Sequence, residues 1–194
     1  MKKIIIIEGL DNTGKSTLVS SLRDHYEKKG MRVFIDHSGK PDAGLSQNMS
    51  AIVQDAMFRC AAYKVPNKDD ADVIILDRAW YGEYVYGRMY RERSKTAVVD
   101  MITDCELLVT RKYDNVCLIY MHADDSAFLV RNEDGKSLSG GDASKISLET
   151  SMFNAVYDLS RIKKHKITVN TGNKFREKQS ILSEAVAFIE GIIE

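Results

Sequence analysis

No charge of either sign dominates this sequence of 194 residues: 28 Lys and Arg balance 28 Asp and Glu. A broad positive field for nucleic acid or a membrane surface is therefore not expected, although net charge says nothing of a local cleft. Cysteine is scarce. Cys60, Cys105 and Cys117 are far apart and odd in number, with no C-x-x-C pair and no zinc spacing. That excludes a disulfide framework and predicts reduced, buried thiols. The histidines His25, His37, His122 and His165 also lie apart, which argues against a metal-ligand cluster. Long apolar stretches are missing too, since Lys2-Lys3 is followed by only four isoleucines. Neither a signal peptide nor a membrane span is expected, and the cytoplasm is the expected location. With no repeat and no linker, the length suits one domain around one core.

What the sequence does hold is the run Ile4-Ile5-Ile6-Ile7 and, just beyond it, Gly9-Leu10-Asp11-Asn12-Thr13-Gly14-Lys15-Ser16. The second segment fits G-x-x-x-x-G-K-[ST], and its placement gives the pattern physical meaning. A buried strand delivers the chain to a Gly-bounded turn whose backbone N–H groups converge on an anion. A helix beginning around Lys15 adds the positive end of its dipole. Leu18, Leu22 and Tyr26 recur at four-residue spacing among charged neighbours, so that helix has one core face. Lys15 can reach the outer phosphates, and the Ser16 hydroxyl can ligate magnesium. A nucleoside triphosphate is the expected ligand.

Apolar runs at 3–8, 32–36, 73–77, 116–121 and 166–170 read as buried strands, rich in Val and Ile. Helices are expected at 15–29, 45–63, 79–90, 96–112, 126–131, 147–161 and 175–193. The alternation predicts an α/β fold, a five-stranded parallel sheet with helices on both faces. The polar segment 132–144, with Gly135, Lys136, Gly140 and Gly141, reads as a mobile loop.

The run Val73-Ile74-Ile75-Leu76 ends in Asp77-Arg78. A carboxylate at the end of such a strand holds magnesium in phosphate-loop enzymes. An arginine beside it stands where ligands bind in open α/β sheets, and its planar guanidinium suits a second phosphate. Trp80, Tyr81, Tyr84, Tyr86 and Tyr90 follow, either as walls of a nucleobase pocket or as packing.

Together these residues resemble the thymidylate kinase family of nucleoside monophosphate kinases. Glu8-Gly9-Leu10-Asp11 with Gly14-Lys15-Ser16-Thr17 is similar to its E-G-x-D-x-x-G-K-S-T loop, and Asp77-Arg78 to its D-R motif. Tyr86 falls on a tyrosine of D-R-[YF]-x-x-S-x-x-A-Y-Q, and Glu149, Phe153 and Val156-Tyr157 loosely follow E-x-x-x-F-x-x-V-x-x-Y. The stretches 80–87 and His37-Ser38-Gly39-Lys40-Pro41 look most like divergent, virus-encoded members. The resemblance implies a three-layer α/β/α P-loop NTPase fold, one kinase domain over 1–194 with a lid at about 131–146, and a homodimer. It implies magnesium-dependent transfer from ATP to a deoxynucleoside monophosphate, dTMP to dTDP. Gly9, Asn12, Thr13, Gly14, Lys15, Ser16 and Thr17 would hold the ATP phosphates, and Ser16 and Asp77 the magnesium. Asp11 would help position both phosphates, Arg78 would bind the acceptor phosphate, and Tyr86 would disfavour a ribose 2′-hydroxyl. Arg131 would be the lid cation, with Lys136 as a second candidate.

The sequence also departs from that family. Ala79 stands where it has an aromatic, Gly82 where it has Ser, and Gly87 where it has the Gln associated with base recognition. Phe58 and Arg59 are adjacent rather than four apart as in L-F-A-A-D-R, so at most one carries over by position. Base specificity stays open. A monophosphate acceptor needs little general-base help, whereas a hydroxyl acceptor needs a carboxylate. Asp36, ending the second strand, keeps a deoxynucleoside kinase in play, and the virus-like stretches add a third reading, a kinase of a hydroxymethylated base in DNA. A nucleotide-dependent switch or binding module is the reading from another class.

Overall fold

The computed structural model describes residues 2–38, 44–135 and 137–191, and at Gln47 the backbone alone. Gly39, Lys40 and Pro41 of the motif comparison, Lys136 of the expected lid and Ile193 of the expected last helix lie outside the described residues.

Four adjacent isoleucines with no exposed surface dictate the centre. β1 (Lys3–Gly9) buries Ile4, Ile5, Ile6 and Ile7 completely, which a strand can do only between two covered faces. After α1 (Lys15–Lys28) come β2 (Val33–His37), α2 (Gln47–Lys64) and β3 (Val73–Asp77). A π-helical turn at Glu83–Gly87 runs into the short α3 (Arg88–Tyr90), followed by α4 (Lys95–Thr110) and β4 (Val116–His122). Then follow α5 (Ser126–Arg131), α6 (Ala143–Leu159), β5 (Lys163–Thr168), the hairpin β6 (Asn170–Thr171) and β7 (Lys174–Phe175), and α7 (Lys178–Ile189). The main sheet has five parallel strands in the order β2-β3-β1-β4-β5, covered by helices on both faces. The strand order reverses direction at β1, so a crevice opens at its carboxyl end, the usual ligand site of such sheets. Register there sets Ile7 beside Asp77, and Gly9 beside Met121.

Helix starts follow side-chain caps. Ser46 accepts from the Met49 N–H at 3.3 Å, and Ser94 from the Ala97 N–H at 3.2 Å. Each such cap is worth about 1 kcal/mol. α6 begins at Ala143 rather than 147, because Asp142 caps the Ser144 and Lys145 N–H groups inside the glycine-bearing segment. β5 spans Lys163–Thr168 rather than 166–170. Its lysines protect an edge strand, and Lys163, Lys164 and Lys166 lie over the rings of Phe188, Tyr157 and Tyr120. α7 begins at Lys178 rather than 175, because Lys174 and Phe175 pair with Thr171 and Asn170. The expected helix 79–90 is instead a bend, the π turn and α3. Of the thiols, Cys105 and Cys117 are buried, and burial pushes both up to about 12. Cys60 is exposed, contrary to expectation, on the outer side of α2. Among the described residues no helix is long and apolar enough to cross a membrane.

Candidate active site

The phosphate-loop glycines are required by geometry. Gly9 has φ +144°, and a Cβ there would collide with the Met121 carbonyl oxygen of the neighbouring strand. Gly14 (φ 82°) and Asn12 (φ 62°) are left-handed, which curls the loop ahead of α1. Thr13 Oγ1 donates to the Leu10 carbonyl at 2.8 Å, and Lys15 Nζ donates to the same oxygen. Asp11, Asn12, Gly14, Lys15, Ser16 and Thr17 line one wall of a cleft. Opposite stand Asn132, Asp134 and Ser137 from the α5–α6 segment and Phe175 from β7. Burial and the Arg78 charge lower the Lys15 ammonium to about 8, against the pull of Asp11, Glu8 and Asp77.

Glu8 locks the next loop in place. Its carboxylate is 2 % exposed and accepts from the Ala79 N–H at 2.7 Å and the Gly82 N–H at 3.3 Å. Burial raises it to about 7, opposed by those N–H groups and by Arg78 and Lys15. Arg78 sits between these anchors at φ 67°, a conformation uncommon for a side-chain-bearing residue. Its N–H is fixed by the Ile7 carbonyl at 3.0 Å, and its guanidinium pairs with Asp11. Asp77, at the end of β3, is 8 % exposed, with Oδ2 2.9 Å from His37 Nδ1.

A second cleft lies beside the first. Glu8, His37, Gln54, Phe58, Glu83, Tyr86 and Arg91 line it, and so do Asp11 and Arg78. The Asp11–Arg78 pair is therefore a wall common to both clefts. The Tyr86 ring stacks on Tyr90 at 6.3 Å and meets Phe153 edge-on at 5.8 Å. Its buried hydroxyl has no hydrogen-bond partner among the described residues, and burial with Asp11 and Glu149 nearby raises its pKa well above the usual range.

Three expected site residues stand elsewhere. Asp36 does not line the second cleft. Strand alternation brings its neighbour His37 there instead. Arg59 pairs with Asp55 and Asp104, so of the adjacent pair only Phe58 lines the cleft. Arg131 is 48 % exposed, donates to Asn173 Oδ1 at 2.7 Å, and does not line the phosphate-loop cleft. What meets the loop is Glu133, which accepts from Asn12 Nδ2 at 3.3 Å.

Glu8, His37, Gln54, Arg91 and Glu133 had no role assigned from sequence. Glu8 had a readable signal, an acid closing an isoleucine strand. The others depend on chain crossings. An apolar slot on the far side of the loop, between Leu18, Met121, Phe175 and Ile181, was likewise not foreseen, because Phe175 read as helix. For a cation, Ser16 and Asp77 are hard oxygen donors. Asp77 Oδ1 makes no hydrogen bond among the described residues. Two such ligands completed by phosphate oxygens and water suit magnesium.

No protein-family model and no curated protein matches the sequence. Solved structures match along nearly the full length. The YorR protein from Bacillus subtilis, in complex with phosphorylated GDP, has a TM-score of 0.66 at 15% identity, covering 97% of this chain and 96% of its own. Thymidylate kinase from Ehrlichia chaffeensis has a TM-score of 0.68 at 14% identity, covering 95% of this chain and 97% of its own. The fold is thus the three-layer α/β/α architecture found in a nucleotide kinase.

Proposed function

We propose that this protein transfers the γ-phosphoryl group of ATP to a deoxynucleoside monophosphate, with dTMP, giving dTDP, as the first acceptor to test. The observation that carries this reading is the Asp11–Arg78 pair shared by two adjoining clefts. A triphosphate in the loop cleft and a monophosphate in the other would meet at one guanidinium. Phosphoryl transfer asks mainly for such positioning and for charge stabilisation.

Each residue then has a task. The backbone N–H groups from Asn12 to Thr17, with Lys15, hold the donor phosphates. Binding a polyanion there keeps the buried Lys15 ammonium charged, since an adjacent negative charge raises a depressed amine pKa. Ser16 and Asp77 hold the magnesium ion, which would neutralise charge on the phosphate oxygens. Arg78 exchanges Asp11 for the acceptor phosphate, and Glu8 keeps that arginine aimed by fixing the loop that follows it. Tyr86 lies against the sugar and disfavours a 2′-hydroxyl. The donor base lies in the slot beside Leu18 and Phe175. Arg131 acts only once the α5–α6 segment swings it from Asn173 towards the phosphates.

A hydroxyl acceptor, free or in DNA, would need a general base. Asp36 stands off the cleft, and of the acids lining it Asp11 pairs with Arg78, Glu83 with Arg91 and Arg93, and Glu8 is held by the Ala79 and Gly82 N–H groups. The test is incubation with γ-labelled ATP and a panel of deoxynucleosides, their monophosphates and hydroxymethylated DNA. Label on a monophosphate alone supports the reading. Label on a nucleoside or DNA replaces it with a hydroxyl kinase, and phosphate release with no labelled acceptor replaces it with a switch.

A further inference from the structure

The second cleft ends on a line of paired charges, buried at Glu83 and reaching the surface at Asp104, that phosphoryl transfer does not use. Glu83, in the π turn, is 1 % exposed. It accepts from Arg91 Nε at 3.3 Å and Nη2 at 2.5 Å, and from Arg93 Nη1 at 3.4 Å. Arg93 Nη2 continues to Asp55 Oδ1 at 2.8 Å, Asp55 Oδ2 accepts from Arg59 Nε at 2.9 Å, and Arg59 reaches Asp104 on α4. Charges alternate along the line, and burial requires that pairing at Glu83, Arg91 and Arg93. Gly87 makes room for it: a Cβ there would stand 2.5 Å from Glu83 Oε1 and 2.7 Å from its Cδ. Any side chain at that position would displace the carboxylate and unseat Arg91.

At the cleft end the line leaves one N–H edge open. Both Glu83 oxygens are held by arginine, while Arg91 Nη1 makes no hydrogen bond among the described residues. Arg91 lines the cleft, and its side chain is 13 % exposed. The end shared with the phosphate loop is marked by Asp11 and Arg78, whereas Arg91, Gln54 and Phe58 belong to this cleft alone. Phe58 gives the cleft an aromatic side chain for a flat ligand to pack on. A guanidinium donates and never accepts.

We infer that Arg91 is a specificity-determining residue for the acceptor. Its open N–H edge takes the carbonyl oxygen at pyrimidine C4 or purine C6 of the nucleobase. The cleft therefore favours bases with an oxygen at pyrimidine C4 or purine C6, here the oxo bases (thymine, uracil, guanine), over those with an amine there (cytosine, adenine). An exocyclic amine facing Arg91 would set donor against donor and leave both unpaired in a buried place, the situation that gives polar sites their strongest rejection. This rests on reading the cleft as the monophosphate site.

The test is calorimetric binding of dTMP, dUMP, dGMP, dCMP and dAMP to the wild type, to Arg91→Gln and to Arg91→Lys, with thermal melts to establish folding. Wild type should bind the oxo monophosphates about 10- to 100-fold more tightly than the amino ones. In Arg91→Gln, whose amide both donates and accepts, the preference should shrink to about threefold or less, with ATP affinity unchanged. Arg91→Lys keeps a cation beside Glu83 and should retain a reduced preference. Equal or reversed binding in wild type, no binding of any monophosphate, or undiminished selectivity in a folded Arg91→Gln would overturn the inference. Selective binding without phosphoryl transfer would leave it standing and overturn the kinase reading, whereas transfer to all five alike would do the reverse.

Discussion

Arg78→Ala perturbs the one contact on which the two-phosphate reading turns. The guanidinium is 31 % exposed and its partner Asp11 is 19 % exposed, so the ion pair itself stabilises the fold by at most about 1 kcal/mol. Alanine keeps the strain of φ 67°, which costs about 1–2 kcal/mol for any residue with a Cβ. Arg78→Gly should therefore melt higher than Arg78→Ala, and both should fold. Function should suffer far more. Loss of one charge-assisted contact to the acceptor phosphate, about 2 kcal/mol, raises the acceptor KM roughly 30-fold. Loss of the same donor at the transition state lowers kcat by roughly 10²- to 10³-fold. ATP binds through the loop backbone and Lys15, so its Kd should move by less than about threefold. Steady-state kinetics with both substrates varied, beside ATP titration by calorimetry, separates these quantities. A fall in ATP affinity as large as the rise in acceptor KM would refute the reasoning and assign Arg78 to the donor.

Lys15→Ala should abolish transfer by removing the cation at the outer phosphates, and near-normal turnover in the labelled-ATP assay would remove the loop from the mechanism. Arg131→Ala should lower kcat by up to ~10³-fold with little change in ATP Kd if the residue behaves as an arginine finger; a purely structural role would instead lower the melting temperature and spare the rate of the folded fraction. Glu8 titrates near 7 when folded and at about 4.5 when unfolded, so the native state binds the extra proton between those values. Stability should thus fall as pH rises from 4.5 to 7, by up to about 3 kcal/mol. Glu8→Gln, whose carbonyl can still accept from Ala79 and Gly82, should abolish that slope in melts at pH 5 and 7.5, and a slope that persists would mean another group is responsible.

The sheet was legible because its inner strands are near-continuous β-branched runs, as in Ile4 to Ile7 and Val73 to Leu76, and because glycine and lysine spacing marks the phosphate loop. Boundaries were lost where polar residues take structural work. Lys163 and Lys164 belong to a strand although they carry charge, since an edge strand needs it. Asp142 starts a helix inside what reads as a loop. The π turn at Glu83–Gly87 follows from a buried carboxylate packing over a glycine, a tertiary cause with no local periodicity. The cleft-lining residues of the loop after β1 and at the end of β3 were legible because their motifs are contiguous in sequence. The floor of the second cleft was not, because Arg91, Gln54 and His37 meet only through the crossovers that carry β2, α2 and α3 around the sheet.

The central claim is one site for two phosphates joined at Asp11 and Arg78. Its most direct measurement is equilibrium binding of a bisubstrate analogue, adenosine and deoxythymidine linked by a pentaphosphate. The account predicts one analogue per chain, displaced competitively both by ATP and by dTMP, and bound far less tightly by Arg78→Ala. An analogue displaced by ATP but indifferent to every deoxynucleoside monophosphate would contradict it.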